Sequence, residues 1–520
     1  MARRPRPLYH SIVRTLLALA LIGAASLAAP PAPAAPPVPA PLQVVQGRDA
    51  LLRLSARLRH LAEDGLNPAD YAIPPDALAA SDPAAHLLAL RHAAAAALAD
   101  LLHGRVRDLP NRPDLRRDTA SRPLGAWMAE LANAAEPAAV IDRAALLPPD
   151  AAALKHALAA ARARAAAGPA PVIPPMPGIE AIEPGVTDPD RVPPLRARLV
   201  QLDASVAQLA VADPAVYDDD LVAAVKRFQA AEGLQADGRI GRMTLAALNR
   251  PGEAAIRQLR VALDMRRAAA PPEADRRIEV NIAQQRLRMV EGGRVRLDMA
   301  VIVGRPTRAT PLLQVRLASV MLNPPWGVPE RNAREDLLPK FRSNPRAMME
   351  KGFRVYGTAD GERVEIDPMR VDWRSIQPDR FPYVIRQDAG EANALGRIKF
   401  VIPNSDDIFM HDTPDRGLFA RAGRAFSSGC IRLEKPMELL DIALQGSAGW
   451  DRARVNQVLA GKQTASFTVA RPIPVRMHYT SVTVEGGQVR IRPDIYGMDE
   501  AYARALDAPR APRLAELRLR

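Results

Sequence analysis

Cysteine is nearly absent from this sequence: Cys430 is the single one among 520 residues. A lone cysteine excludes an intramolecular disulfide framework, and nothing near it in the chain supplies the thiolate or imidazole partners of a metal site. Aromatic residues make up only 4%, and no basic run interleaved with aromatics occurs, which argues against nucleic acid as a partner. Histidine is scarce, eight in all, with only His411 and His478 in the C-terminal half. Lysine is sparse too, at positions such as Lys226, Lys340 and Lys399, so arginine carries nearly all the basic charge. The formal charge of +13, with abundant alanine and 50 prolines, reads as compositional bias of the coding sequence. A basic surface suits an anionic polymer without selecting one.

A chain of 520 residues has room for about three domains. Arg3, Arg4, Arg6 and Arg14 lead into an apolar stretch from Ile12 to Ala29 that ends in small residues. That order predicts an export signal over 1–29, cleaved, or retained as an inner-membrane anchor because the run approaches the ~20 residues that span a bilayer. The bulk of the chain is then expected in the periplasm, where an unpaired thiol reads as reactive.

Residues 30–45 form a Pro/Ala-rich tether. Residues 46–167 are rich in Ala, Leu and Arg, with Leu51, Leu54, Leu58 and Leu61 at helical spacing, and predict a helical scaffold. Residues 168–194 read as a second proline-rich linker. Residues 195–250 form a small helical unit: Leu221, Val225 and Phe228 share a helix face, and Asp237-Gly238 makes a tight turn. Residues 276–497 alternate as strands do, as in Ile278, Val280 and Ile282, with Gly292-Gly293 and Gly486-Gly487 as hairpin turns. Within them, 331–395 breaks the pattern and reads as an inserted lid carrying Trp373, Phe381 and Tyr383, which either face the site or form its own small core. Residues 498–520 remain as a tail.

The chemistry gathers around Ser427-Ser428-Gly429-Cys430-Ile431-Arg432. A free thiol with pKa about 8.5 needs a base or a cation nearby to react at neutral pH. His411 can take the Cys430 proton and later protonate a leaving amine. The Gly429 and Cys430 amides would face a developing oxyanion, and Arg432 would lower the thiol pKa or hold a substrate carboxylate. His478 is the competing base, but its alternating run marks a plain strand residue. Ser427 and Ser428 lack the G-x-S-x-G context of a nucleophile.

His411 to Arg432 resembles the signature of the L,D-transpeptidases, in the large multidomain, YcbB-like branch. So do Ile278-Glu279-Val280-Asn281-Ile282, Val301-Ile302-Val303-Gly304-Arg305-Pro306, Asn323-Pro324-Pro325-Trp326 and Asp494-Ile495-Tyr496-Gly497. The Asp237–Thr244 stretch is similar to a peptidoglycan-binding module, and Gly65–Tyr71 to the helical scaffold of that branch. The resemblance implies a multidomain α+β protein with a β-sandwich-like catalytic domain. It implies Cys430 as nucleophile, His411 as base and Asp412 orienting the imidazole through its backbone carbonyl. Gly429, Ser428 and Arg432 fall at oxyanion or substrate-binding positions. Many relatives carry histidine where this chain has Ser428, and Phe409 stands where this branch has tyrosine. The implied reaction links peptidoglycan stem peptides, donor and acceptor, through an acyl-enzyme, with neither metal nor cofactor and with carbapenem-type β-lactams as inhibitors. A carboxypeptidase using water as acceptor, and a non-catalytic wall-binding scaffold, are the alternatives.

Overall fold

The computed structural model describes residues 47–511 apart from 177, 179, 180 and 360, so the expected export signal and tether lie outside the described residues. Leu54, Leu58 and Leu61, spaced four and three apart, are fully buried, as helical periodicity requires. They pack against the long Pro83–His103 helix, whose Asp82 carboxylate caps the N-terminus by accepting from Ala85 N at 3.0 Å. This helix is apolar and long enough to cross a membrane, but 67% of its most apolar stretch is buried inside the protein. Its alanine run from Ala93 to Ala97 lets neighbouring helices approach closely.

The proline-rich stretch expected as a linker is part of the small helical unit. Ile173 and Ile182 are buried in that unit's core, Ala181–Ile182 pairs with Ile240–Gly241, and the Asn249 side chain donates to and accepts from the Ile173 backbone. Prolines deny this segment a helix without denying it burial. The Asp237-Gly238 turn is fixed from inside: Gln229 Oε1 accepts from Gly238 N at 2.8 Å, and Tyr217 donates to Gly238 O at 2.6 Å. Gly238 has φ +79°, and a Cβ there would lie 2.8 Å from Val222.

Within residues 276–497 eight strands build one closed sheet: β1 Arg277–Asn281, β2 Arg286–Glu291, β3 Arg294–Gly304, β4 Leu313–Leu322, β5 Ile398–Val401, β6 Met410–His411, β7 Ile431–Leu433 and β8 Ala465–His478, with a short strand, Ala425–Ser427, added in parallel against β3. They pair in the order β3-β7-β6-β5-β4-β8-β1-β2, and β2 pairs again with β3. The sheet therefore closes into a mixed barrel, where the sequence predicted a sandwich-like arrangement. The reason is that β3 uses both of its edges, one for the β2 hairpin and one for β7. Inward residues such as Val280, Met289, Val301, Leu317, Phe400 and Met477 fill the core, with Leu439, Leu440 and Ala443 of the Pro436–Leu444 helix.

The insertion builds its own four-stranded sheet, ordered Trp326–Gly327, Val384–Gln387, Phe353–Ala359 and Glu362–Ile366. It thus begins about where β4 ends rather than at residue 331. Trp373 stacks on Phe341 with centroids 4.3 Å apart, and Phe381 and Tyr383 pack around them, so these aromatics form the insertion's core. The expected tail is also structured: Met498–Asp507 is a helix whose Tyr502, Ala503 and Leu506 pack on Val261 of the Gly252–Arg266 helix. All described residues fall in one compact unit.

Candidate active site

β6 and β7 run side by side and parallel, Met410 opposite Ile431 and His411 opposite Arg432. Side chains alternate along a strand, and Met410 and Ile431 lie in the barrel core, so His411 and Arg432 share the outer face. Cys430 precedes β7 directly, on the side of Phe409, whose carbonyl accepts from Ile431 N at 3.0 Å. On the other flank β5 sets Lys399 opposite His411 on the same face. The parallel pairing brings His411 and Cys430, 19 positions apart in the chain, into one site.

His411 Nδ1 lies 2.6 Å from the Asp412 carbonyl oxygen. A carbonyl can only accept, so Nδ1 carries the hydrogen and Nε2 keeps its lone pair for a proton. Asp412 is itself held: its carboxylate accepts from Arg397 N at 3.0 Å and Arg416 Nη1 at 3.2 Å. The approach requires glycine at 396, where φ is +61° and a Cβ would meet Asp412 Oδ2 at 2.5 Å.

The turn that carries Cys430 is organised by Ser427, whose hydroxyl donates to Cys430 O at 2.6 Å and accepts from Gly429 N at 3.1 Å. The Gly429 amide, expected to face an oxyanion, is therefore engaged, whereas the Cys430 amide has no partner among the described residues. Ser428 points elsewhere. Its oxygen accepts from Arg308 Nη1 at 2.8 Å and Asn332 Nδ2 at 3.1 Å, which ties the turn to the insertion. Arg308 also meets Asp336 at 2.6 Å and Glu335 at 2.5 Å. Arg432 reaches Asp415 at 3.3 Å. His478 lies three strands from β6 around the barrel, its Nδ1 3.1 Å from Thr480 Oγ1, apart from the others.

Burial and the Arg432 guanidinium push the His411 imidazole down to about 3, against the opposing pull of the Asp412 and Leu395 carbonyls. Burial pushes the Cys430 thiol up to about 11, opposed by the Phe409 amide and by the cations of Lys399 and Arg432. The resting pair is thus neutral thiol and neutral imidazole, and the sulfur sits 3.9 Å from the Asp407 carbonyl rather than hydrogen bonding to His411. Apo sites often tighten such contacts only when substrate binds.

Lys399 and Arg308 were passed over in the sequence. Lys399 had a signal, since Ile398, Phe400 and Ile402 alternate inward and leave Lys399 outside. Arg308 had none, because only the fold brings the β3–β4 loop to the turn. Among the described residues no group of three or more His, Cys, Asp or Glu is placed to hold a metal ion.

Residues 275–456 match the family model for the L,D-transpeptidase catalytic domain, and residues 189–248 match the one described as "Putative peptidoglycan binding domain". A curated protein of Haemophilus influenzae described as "Putative L,D-transpeptidase" is 42% identical over 240 residues, covering 46% of this chain and 48% of that protein. The chain thus spans about half the length of the curated relative it matches. Two solved structures also align: the Ldtfm-avibactam carbamoyl enzyme (14% identity, 40% of this chain and 51% of that one, TM-score 0.18) and an L,D-transpeptidase of Xylanimonas cellulosilytica (16% identity, 58% and 99%, TM-score 0.18). At those TM-scores neither carries an argument about this chain.

Proposed function

We propose, on the premise that this chain carries an L,D-transpeptidase catalytic domain, a cysteine transpeptidase domain, joined to a peptidoglycan-binding domain, that it cross-links peptidoglycan stem peptides at their third residues. The observation that supports this most is the outer-face pair of His411 and Cys430, with Nδ1 held by the Asp412 carbonyl at 2.6 Å. In this reading His411 Nε2 takes the thiol proton as sulfur attacks the carbonyl carbon of the third stem residue. The oxyanion is met by the free Cys430 amide, and the imidazolium gives its proton to the departing D-alanine amine. A thioester remains. A side-chain amine of a second stem attacks it, its proton passes to His411, and the thiol is restored as the direct cross-link forms.

Because the resting pair is neutral, both charges exist only while bonds are changing, and Lys399 and Arg432 favour the thiolate. The insertion serves as the lid, a role supported by its Asn332 hydrogen bond to Ser428 and by Leu395, at its far end, beside His411. The export signal expected over 1–29 supports a periplasmic site of action. Carbapenem-type β-lactams, which acylate as the donor peptide does, would mark Cys430.

The purified protein should be incubated with a tetrapeptide muropeptide and the products weighed. A dimer lighter by one D-alanine than two monomers is the expected product. Tripeptide without dimer would make water the acceptor, and unchanged substrate would leave only a wall-binding role.

A further inference from the structure

Charge around Cys430 does not balance. The Arg432 guanidinium is offset by Asp415 at 3.3 Å. The ammonium of Lys399, half-buried beside it, makes no hydrogen bond or ion pair among the described residues. Its ammonium stands 3.9 Å from the centroid of the Phe409 ring, which steadies a cation without neutralising it. Asp407 acts on it only through space. A partly dehydrated cation with no counterion is costly unless an anion arrives with the ligand.

Position suggests which anion. Lys399 and His411 are directly opposite on the antiparallel strands β5 and β6, where facing Cβ atoms stand ~4.5–5.5 Å apart. In the proposed reaction His411 protonates the leaving amine, and the carboxylate of the leaving amino acid is one carbon away from that amine. A cation on the neighbouring strand, opposite the base and on the same face, stands where that carboxylate must go. Arg432, the other cation of the face, already has Asp415.

We propose that Lys399 is the specificity residue for the donor's C-terminus: its ammonium pairs with the free terminal carboxylate of the peptide whose last amide bond Cys430 opens. This rests on the transpeptidase reading. It explains how the site selects a chain end, since a peptide continuing past that residue, or ending in a carboxamide, brings no charge to Lys399.

The test is binding to full-length Cys430→Ala protein, which has no nucleophile, measured by calorimetry. The ligands are a stem tetrapeptide ending in free D-alanine and the same peptide as its carboxamide. The acid should bind roughly tenfold to a hundredfold tighter, the equivalent of one hydrogen bond to a charged group. Adding Lys399→Met should weaken the acid alone and erase the difference, and adding Lys399→Arg should keep part of it. Equal affinity for acid and amide, equal weakening of both by Lys399→Met, or binding of neither would overturn the proposal. If Lys399→Met does not fold, the comparison in Cys430→Ala alone decides. Preference for the acid without turnover in the wild type would remove the transpeptidase reading and leave Lys399, and turnover without the preference would do the reverse.

Discussion

Arg308 donates to Ser428 Oγ at 2.8 Å while gripping Asp336 at 2.6 Å, so one buried guanidinium joins the inserted subdomain to the turn that carries Cys430. The link runs between segments 120 residues apart in the chain. It ties the insertion to the Cys430 turn through side chains that do not touch the sulfur.

Arg308→Ala should therefore loosen the turn as well as the fold. Loss of the guanidinium takes one donor from each of Asp336, Glu335 and Ser428, leaving Asn332 on Ser428 and Asn332 and Arg305 on Asp336; the change, worth roughly 1–3 kcal/mol, should be visible as a lower Tm. Carbapenem acylation of Cys430 should slow by tenfold or more. Arg308→Lys should restore much of the Tm but little of the rate, since an ammonium cannot reproduce the fork that reaches three side chains. Normal acylation in a well-folded Arg308→Ala protein would show that the link does not shape the site.

With the thiol pushed up to about 11 and the imidazole down to about 3, alkylation of Cys430 by iodoacetamide should accelerate steadily with pH. The rate should rise close to tenfold per unit between pH 7 and 9, tracking the thiolate fraction. A plateau reached near pH 6 or 7 would reveal a thiolate–imidazolium pair in the resting enzyme and refute the neutral-pair description.

His411→Ala should lower turnover 10²–10⁴-fold, the usual contribution of a general base, with the fold intact. His478 gives a different signature. Burial and Arg476 push its imidazole down to about 4, whereas the unfolded chain titrates near 6.5. Between those values the unfolded state binds more protons, so stability is lost as pH falls from about 6.5 to 4. His478→Gln should flatten the acid side of a Tm-against-pH curve while turnover stays near wild type. A turnover loss exceeding that of His411→Ala would mean the two histidines have been assigned in the wrong order.

Asp499 is buried, accepts from Gln258 Nε2 at 3.1 Å, and is pushed up to about 6 by burial and by neighbouring Asp494. Its folded pKa exceeds the unfolded value near 3.9, so the folded state holds the extra proton and stability falls as pH rises from about 4 to 6. Asp499→Asn should raise Tm at pH 7.5 more than at pH 4.5, reflecting a stability gain of at most about 3 kcal/mol for two pKa units. A Tm gain that is the same at both pH values would show that the carboxyl is not strained by its charge.

The alternation of Ile278, Val280 and Ile282 was legible as strand, and Leu54, Leu58 and Leu61 as helix, because burial of one face imposes a period that the chain must write down. Cys430 and His411 stood out as candidate residues, since a single thiol in a glycine turn and a nearby histidine are local facts. The closure of the barrel was not, because alternation says which face is buried and never which edges pair. Nor was burial of Ile173 and Ile182 in a proline-rich stretch, where composition speaks of the backbone's stiffness and not of its contacts. The Met498–Asp507 helix had Tyr502 and Leu506 four apart, but a short apolar stripe needs a partner surface to declare itself, and that surface is Val261. Lys399 shows the division most clearly. Its charge is in the sequence, but its place opposite His411 comes from the register of β5 on β6, which hydrogen bonds between the two strands set and neither strand encodes alone.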